Sequence, residues 1–145
     1  MKRLHKALLL PWASGNSSMA YTNKVIALAP IAYWPMAEAS GGVSLDESGN
    51  ARNGAYTSVT LGNTGIGDGR TAAGFDGSTS FNNIYSASLS SAFVGAQGTI
   101  LAWAQASGAG VWTAATFRSI TRFRFDSQND INIQKSSTNN QLLLS

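Results

Sequence analysis

Along the chain, short runs of apolar, aromatic and β-branched residues alternate with clusters of Gly, Asn, Asp and Ser. Such runs are typical of antiparallel strands, because parallel strands need long crossover connections and the chain beyond Pro30 shows no convincing helical periodicity. The predicted strands span residues 31–36, 54–59, 72–75, 83–87, 99–106, 112–118, 120–125, 131–134 and 142–144. The pattern and the length of 145 residues therefore predict one all-β domain, an antiparallel sandwich or barrel.

Two of these runs show how their strands should lie in a sheet. Residues 99–104 place apolar side chains on both faces, which is typical of a central strand that is covered above and below. In the run RFRF at residues 122–125, arginine and phenylalanine alternate strictly, which predicts one wet face and one buried face. This second strand is expected to border an open or concave surface.

The predicted turns are rich in residues that tolerate positive φ or bond their own backbone. They are DESGN at 46–50, RNG at 52–54, GDG at 67–69 and FDGS at 75–78. The dipeptides Asn53-Gly54 and Asp76-Gly77 are hairpin-type signals.

The first eighteen residues differ from the rest, with a basic start, a short apolar run at residues 7–10 and then small polar residues. They fit a signal peptide cut before Tyr21, or an extended or disordered arm ahead of a true start at Met19. Neither alternative contains a transmembrane run. We therefore separate an N-terminal arm, residues 1–18, from the predicted domain, residues 19–145. Residues 21–28 form either a short helical turn or an extended lead-in.

Composition narrows the function classes. Only 12% of residues are charged, against about 25% in a typical soluble domain, so neutral polar side chains must cover the surface, which suits secreted or virion proteins. The net charge of +3 reflects three basic residues near the start, Lys2, Arg3 and Lys6, and the body lacks the basic stripe expected of a nucleic-acid binder. The absence of cysteine excludes disulfides, thiolate zinc sites and cysteine nucleophiles.

The residue inventory also argues against catalysis. Most glycosidases need two facing carboxylates, yet Glu38 and Glu47 are the only glutamates and no two aspartates stand two apart within a strand. The only histidine, His5, lies in the N-terminal arm, so a Ser-His-Asp relay cannot be built in the body. We expect no enzymatic activity.

Four motifs occur in an order that resembles a known family: AYWPM at 32–36, DESGN at 46–50 followed by Asn53-Gly54, FDGS at 75–78, and GTILAWA at 98–104. In this order they resemble the laminin-G-like branch of the concanavalin A-like lectin and glucanase superfamily. The resemblance implies a jelly-roll β-sandwich with Trp34 and Trp103 in its core. It also implies carbohydrate or surface binding, in secreted proteins or in phage tail and virion proteins. Because domains of that family usually extend further, we expect a truncated sequence, or a sheet that another chain completes.

The resemblance also directs attention to calcium, which such domains often carry at the sandwich rim. Calcium takes oxygen ligands from carboxylates, amides and carbonyls. The candidate ligands are Asp46, Asn50 and Asn53, or alternatively Asp68 and Asp76. The alternative is that these side chains cap turns through hydrogen bonds to the backbone.

A bound sugar would need an exposed aromatic ring with polar groups around it. The candidates are Trp112, Tyr85 and Tyr56, with Arg122 and Arg124 on the neighbouring wet face, although Trp112 would equally serve as a buried anchor and the arginines as a solvated face. The leading hypothesis is thus a non-catalytic module that binds a glycan or cell-surface receptor, outside the cell or on a virion. The alternative is a structural virion module that packs against neighbouring copies, and a glycosidase fragment is a third possibility. Exposed aromatic rings beside free Asn and Asp favour the first, whereas an apolar patch or an unpaired sheet edge favours the second.

Overall fold

The computed structural model describes residues 17–94, 97–124, 130–139 and 141–144. Within these ranges the chain forms short antiparallel strands and three short helices, so the all-β class is confirmed. The elements are α1 Ser17–Ile26, β1 Val43–Ser44, β2 Gly54–Thr57, β3 Thr60–Thr64, β4 Thr71–Gly74, β5 Phe81–Asn83, α2 Ala87–Ala92, α3 Ala109–Thr113, β6 Arg118–Arg124, β7 Asp130–Lys135 and β8 Leu142–Leu144.

The strands form three separate sheets, all of them antiparallel. The first sheet has the order β1-β2-β5, the second pairs β3 with β4, and the third has the order β6-β7-β8. Among the described elements, extensive contacts occur between paired strands of one sheet.

Five predicted strands are confirmed in place: β2, β4, β6, β7 and β8 overlap the expected runs. The alternation in β6 is confirmed as well, since Arg122 and Arg124 are exposed and Phe123 between them is half-buried. Phe123 stacks on Phe93, with ring centroids 5.8 Å apart. Phe125 lies outside the described residues.

The predicted central strand at residues 99–106 is wrong. These residues pair with no described strand, and the side chains of Leu101 and Trp103 are exposed. A strand that is apolar on both faces is stable only where layers cover both faces, and no described layer covers this segment. The prediction that Trp103 lies in the core is wrong for the same reason.

Three other predicted strands also differ from the structure. Residues 31–36 make no strand pairing, and Met36 has a positive φ of 54°. The run at 83–87 ends early, because the side chain of Ser86 accepts a hydrogen bond from the amide of Leu89 and begins α2. The start of the run at 112–118 belongs to α3, so the absence of helices beyond Pro30 was also a wrong prediction.

Neither of the two hairpin-type dipeptides, Asn53-Gly54 and Asp76-Gly77, forms a tight turn between two paired strands. Gly54 begins β2, and residues 45–53 form a longer connection from β1. Asp76-Gly77 does form a turn, with Gly77 at φ 72°, but it joins β4 of the second sheet to β5 of the first. The turn chemistry was recognised correctly and its topology was not.

The N-terminal helix answers one open question. Residues 21–28 were either helical or extended, and α1 shows that the segment is helical as far as Ile26. The boundary proposed between residues 18 and 19 falls inside α1, and residues 1–16 lie outside the described part. No helix in the described ranges combines the length and the apolar character that crossing a bilayer requires.

The described core is small. Among the described residues, Leu89 is the one buried hydrophobic side chain. The buried polar or charged side chains are Ser44, Asn132, Lys135 and Ser136. Many large apolar side chains are exposed instead, including Leu142 and Leu144 in β8 and Phe117 before β6. An unusually large share of the apolar surface is therefore open to solvent or to a partner.

Candidate functional site

Asp46 is the centre of the connection between β1 and β2. Its Oδ1 accepts hydrogen bonds from the amides of Tyr33 and Ser48, both at 2.9 Å, and its Oδ2 accepts one from the amide of Arg52 at 2.9 Å. Burial alone would raise the pKa of Asp46, but the bonds from Ser48, Tyr33 and Arg52 outweigh burial and lower the pKa below its ordinary value. The carboxylate therefore ties two chain segments together.

The two asparagines of the same loop continue this bracing. The Oδ1 of Asn53 accepts a hydrogen bond from the amide of Asp46 at 2.9 Å. The Nδ2 of Asn50 donates to the carbonyl oxygens of Pro30 at 3.4 Å and Ile31 at 3.2 Å. The bond between Asp46 and Asn53 is of the turn-capping kind, whereas Asn50 fixes the segment at residues 30–31 to this loop.

The turn at Asp76 is held in the same way. Its Oδ1 accepts hydrogen bonds from the amides of Ser78, Thr79 and Ser80, and its Oδ2 accepts one from the hydroxyl of Thr79. Bonds from the Thr79 hydroxyl and then from the backbone hold the pKa of Asp76 far below its ordinary value. The carboxylate oxygens are again acceptors for the turn itself.

Asp68 makes a smaller contact of the same kind, since its Oδ1 accepts a hydrogen bond from the amide of Arg70 at 3.0 Å. In the described ranges, no three acidic, histidine or cysteine side chains converge in a way that could hold a metal ion. Calcium binding by Asp46, Asn50, Asn53, Asp68 and Asp76 stays a prediction.

The predicted ligand residues fall on different elements. Tyr56, in β2, is half-buried, and its hydroxyl donates to Oε2 of Glu38 at 2.8 Å. Burial, with the nearby Glu38 carboxylate, raises the pKa of Tyr56 to about 12. Tyr85 follows β5 and is 75% exposed, whereas Trp112 lies in α3 and is 38% exposed.

Arg122 and Arg124 are the two predicted ligand residues that the structure places side by side. They lie on one face of β6, and the guanidinium of Arg122 forms an ion pair with Asp130 of β7. The binding role predicted for these two arginines and for Trp112, Tyr85 and Tyr56 stays a prediction.

Sequence analysis missed a different group, in which Trp103 contacts helix α1. Trp103 is 67% exposed, yet its indole Nε1 donates a hydrogen bond of 2.6 Å to the hydroxyl of Tyr21. By contrast, Trp34 is half-buried, and its Nε1 donates to the carbonyl of Arg52 at 2.7 Å. Both indoles are therefore fixed at one edge, but only the ring of Trp103 is open to solvent.

The next residue of α1, Thr22, belongs to a separate polar group. One guanidinium nitrogen of Arg70 donates to Thr22 Oγ1 at 3.1 Å and to Glu47 Oε2 at 2.8 Å, and a second nitrogen pairs with the other oxygen of Glu47. Burial raises the pKa of Tyr33, which hydrogen-bonds to Thr22 and lies near Arg70, Tyr21 and Glu47. No local motif joins residues so far apart along the chain, so the group could not be found from spacing.

The glutamates considered for catalysis are both engaged. Glu38 accepts a hydrogen bond from the amide of Leu45 at 2.8 Å in addition to the bond from Tyr56, and Glu47 pairs with Arg70.

Comparison with known proteins adds no assignment, because no family model, no curated protein and no solved structure matches this chain.

Proposed function

We propose that this chain is a non-catalytic structural module that packs against copies of itself on an extracellular or virion surface. The observation that carries the proposal is an apolar row across the third sheet. The register pairs Phe123 with Ile131 and Ile133 with Leu144, so these four side chains lie on one face. The row continues outward to Leu144, which is 76% exposed.

The edges of the third sheet support the same proposal. β6 and β8 each pair with β7 alone among the described strands, so each presents one open edge. Folded proteins normally protect such edges with charges, bulges or a covering element. β6 has arginines and a register shift near Thr121, whereas β8 consists of three leucines and has neither protection. We therefore place the contact between copies along β8 and the apolar row.

Light scattering of the purified chain tests this proposal. We expect the mass to exceed that of one chain and to rise with protein concentration, and we expect Leu144→Lys to shift the mass toward one chain. Leu28→Lys is the matched control, because Leu28 is 78% exposed and follows α1, so it belongs to no strand of the third sheet. A single-chain mass at every concentration would overturn the proposal.

The arrangement of the sheets belongs to the same proposal. We propose that the three sheets are parts of two facing antiparallel layers of the concanavalin A-like, laminin-G-like type. The four ordered motifs support this, as does the half-buried Trp34 in the first of them.

Carbohydrate binding is a second candidate function. Exposed aromatic rings, with hydrogen-bonding groups beside them, favour it. Tyr85 and Trp103 are both largely exposed, and Trp103 has polar neighbours. The partner would be a glycan or a glycan-bearing cell-surface receptor. Binding to immobilised neutral glycans tests this function, with and without a calcium chelator to test the predicted cation. Retention on no glycan under either condition would leave assembly as the sole proposed function.

A further inference from the structure

Asn53 and Gly54 form the only Asn-Gly dipeptide of the sequence. An asparagine before glycine is open to attack by the next backbone nitrogen on its own side-chain carbonyl carbon, because glycine has no Cβ to hinder the approach. Asn53 is exposed at the end of the loop that connects β1 to β2, so water reaches it. The dipeptide is therefore a chemically labile point of this loop.

The fold nevertheless requires both residues of the dipeptide. Gly54 is buried in β2, and a Cβ at this position would lie 2.5 Å from Oδ1 of Asn82 and 3.2 Å from the backbone oxygen of Asn83. A larger residue would therefore displace β5, which contains both asparagines. Asn53 is held as well, because its Oδ1 accepts the hydrogen bond from the amide of Asp46. The labile pair is thus built into the first sheet.

Strand pairing controls the backbone nitrogen of Gly54. In the register of β1 with β2, Ser44 lies opposite Gly54. On the same ladder, the amide of Tyr56 donates to the carbonyl of Gly42 at 2.9 Å. Because hydrogen-bonded pairs alternate along an antiparallel ladder, Ser44 and Gly54 form the next hydrogen-bonded pair. The N–H of Gly54 is therefore directed at β1, and it is released only when β1 separates from β2.

We propose that Asn53 is a site of spontaneous deamidation and that the pairing of β1 with β2 gates the reaction. When β1 opens, the backbone nitrogen of Gly54 gives up its proton to solvent and attacks Cγ of Asn53. The bond from Cγ to the side-chain nitrogen breaks, and that nitrogen takes up a proton and leaves as ammonia. Water then opens the succinimide ring at either of its two carbonyl carbons, which yields aspartate or isoaspartate.

The products change the centre of the first sheet, in which β2 lies between β1 and β5. Aspartate and isoaspartate both add a negative charge to a loop that already contains the Asp46 carboxylate. Isoaspartate also adds a methylene group to the main chain immediately before β2, so the register with β1 cannot be kept unchanged. The reaction goes beyond both proposed functions and needs neither of them.

Mass spectrometry of proteolytic peptides measures the rate of conversion at Asn53, with the chain kept in one buffer with and without urea. We expect the rate to rise by at least about tenfold in urea, because the native chain must first open β1. Asn50, in the same loop but followed by Ala51, should convert more slowly than Asn53 in urea. No conversion of Asn53 in urea would overturn the site. Equal rates with and without urea would overturn the gate.

Two proline variants locate the gate. Ser44→Pro removes the N–H that β1 presents to Gly54, and should raise the rate without urea by at least about threefold. Leu143→Pro is the matched control, since it disturbs an edge strand of the third sheet and should leave the rate at Asn53 unchanged. Circular dichroism checks the strand content of both variants, and the urea comparison decides if Ser44→Pro does not fold. Equal acceleration by the two prolines would contradict a gate at β1.

Discussion

Two β-rich regions of this chain are held together in different ways. Between Pro30 and Asn83, side chains of the loops bond to distant backbone groups, as Asp46 does with Tyr33 and Arg52. Between Gly98 and Leu144, strand pairing in the third sheet supplies most of the described order, and large apolar side chains stay exposed. The first region is stabilised within the chain by polar contacts. In the second region, apolar side chains of the third sheet are exposed to solvent.

The largest effect is expected when the hydrogen bonds of Asp46 in the first region are removed. Asp46→Ala removes the acceptor of three backbone hydrogen bonds, and should lower the free energy of unfolding by about 3 kcal/mol. Asp68→Ala is the comparison, because the Oδ1 of Asp68 accepts a backbone hydrogen bond from Arg70, and this variant should lose about 1 kcal/mol. Urea denaturation measures both, and equal losses would remove the special role of Asp46.

The two anchored tryptophans give the next comparison. Trp34→Ala removes a half-buried ring and the bond to Arg52, and should lower the free energy of unfolding by about 2–3 kcal/mol. Trp103→Ala removes an exposed ring, and should change it by less than about 0.5 kcal/mol in the monomer. Thermal unfolding at low protein concentration separates the two. A large loss in Trp103→Ala would place this ring in the core after all.

Glycine substitutions test how tightly the backbone is packed in each of the two regions. A Cβ at Gly65 would lie 2.2 Å from the backbone oxygen of Arg70, so Gly65→Ala should destabilise the first region by about 2 kcal/mol. Gly110, in α3, has open space around it, and Gly110→Ala should raise stability by up to about 1 kcal/mol through helix propensity. Chemical denaturation of both variants gives the sign of each change, and a loss in Gly110→Ala would contradict the open surroundings of α3.

The smallest effect is a dependence of stability on pH. The pKa values of Asp46 and Asp76 are lowered in the folded chain, so their contribution is present above the unfolded value of about 3.9 and is lost as the pH falls. The loss should be smaller than that in Asp46→Ala, because protonation keeps the oxygen atoms in place. Urea unfolding at pH 6 and pH 3 measures it. A stability that rises on acidification would contradict the bonding described for both carboxylates.

The sequence predicted local features well and long-range contacts poorly. Alternation predicted β6 and its half-buried Phe123, and the apolar run at 142–144 matched β8, because both depend on neighbouring residues. The turn chemistry of Asp46 and Asp76 was also visible, since an aspartate bonds to amides a few residues away. The strand at 99–106 failed, because an apolar pattern cannot specify which layer covers it.

The contacts of α1 could not be predicted for a related reason. Tyr21 and Trp103 are 82 residues apart, and Thr22 and Arg70 are 48 apart. The family resemblance and the apolar neighbours of Trp103 assigned this residue to a core. Only the folded arrangement shows that its ring is exposed and that its indole nitrogen donates to a tyrosine.

Hydrogen exchange of backbone amides across a wide range of protein concentrations tests the central contrast most directly. The account predicts that protection of β6, β7 and β8 rises with concentration, as copies cover the apolar row, whereas protection of the first and second sheets stays constant. Protection of the third sheet that is independent of concentration, in a chain of single-copy mass, would contradict it.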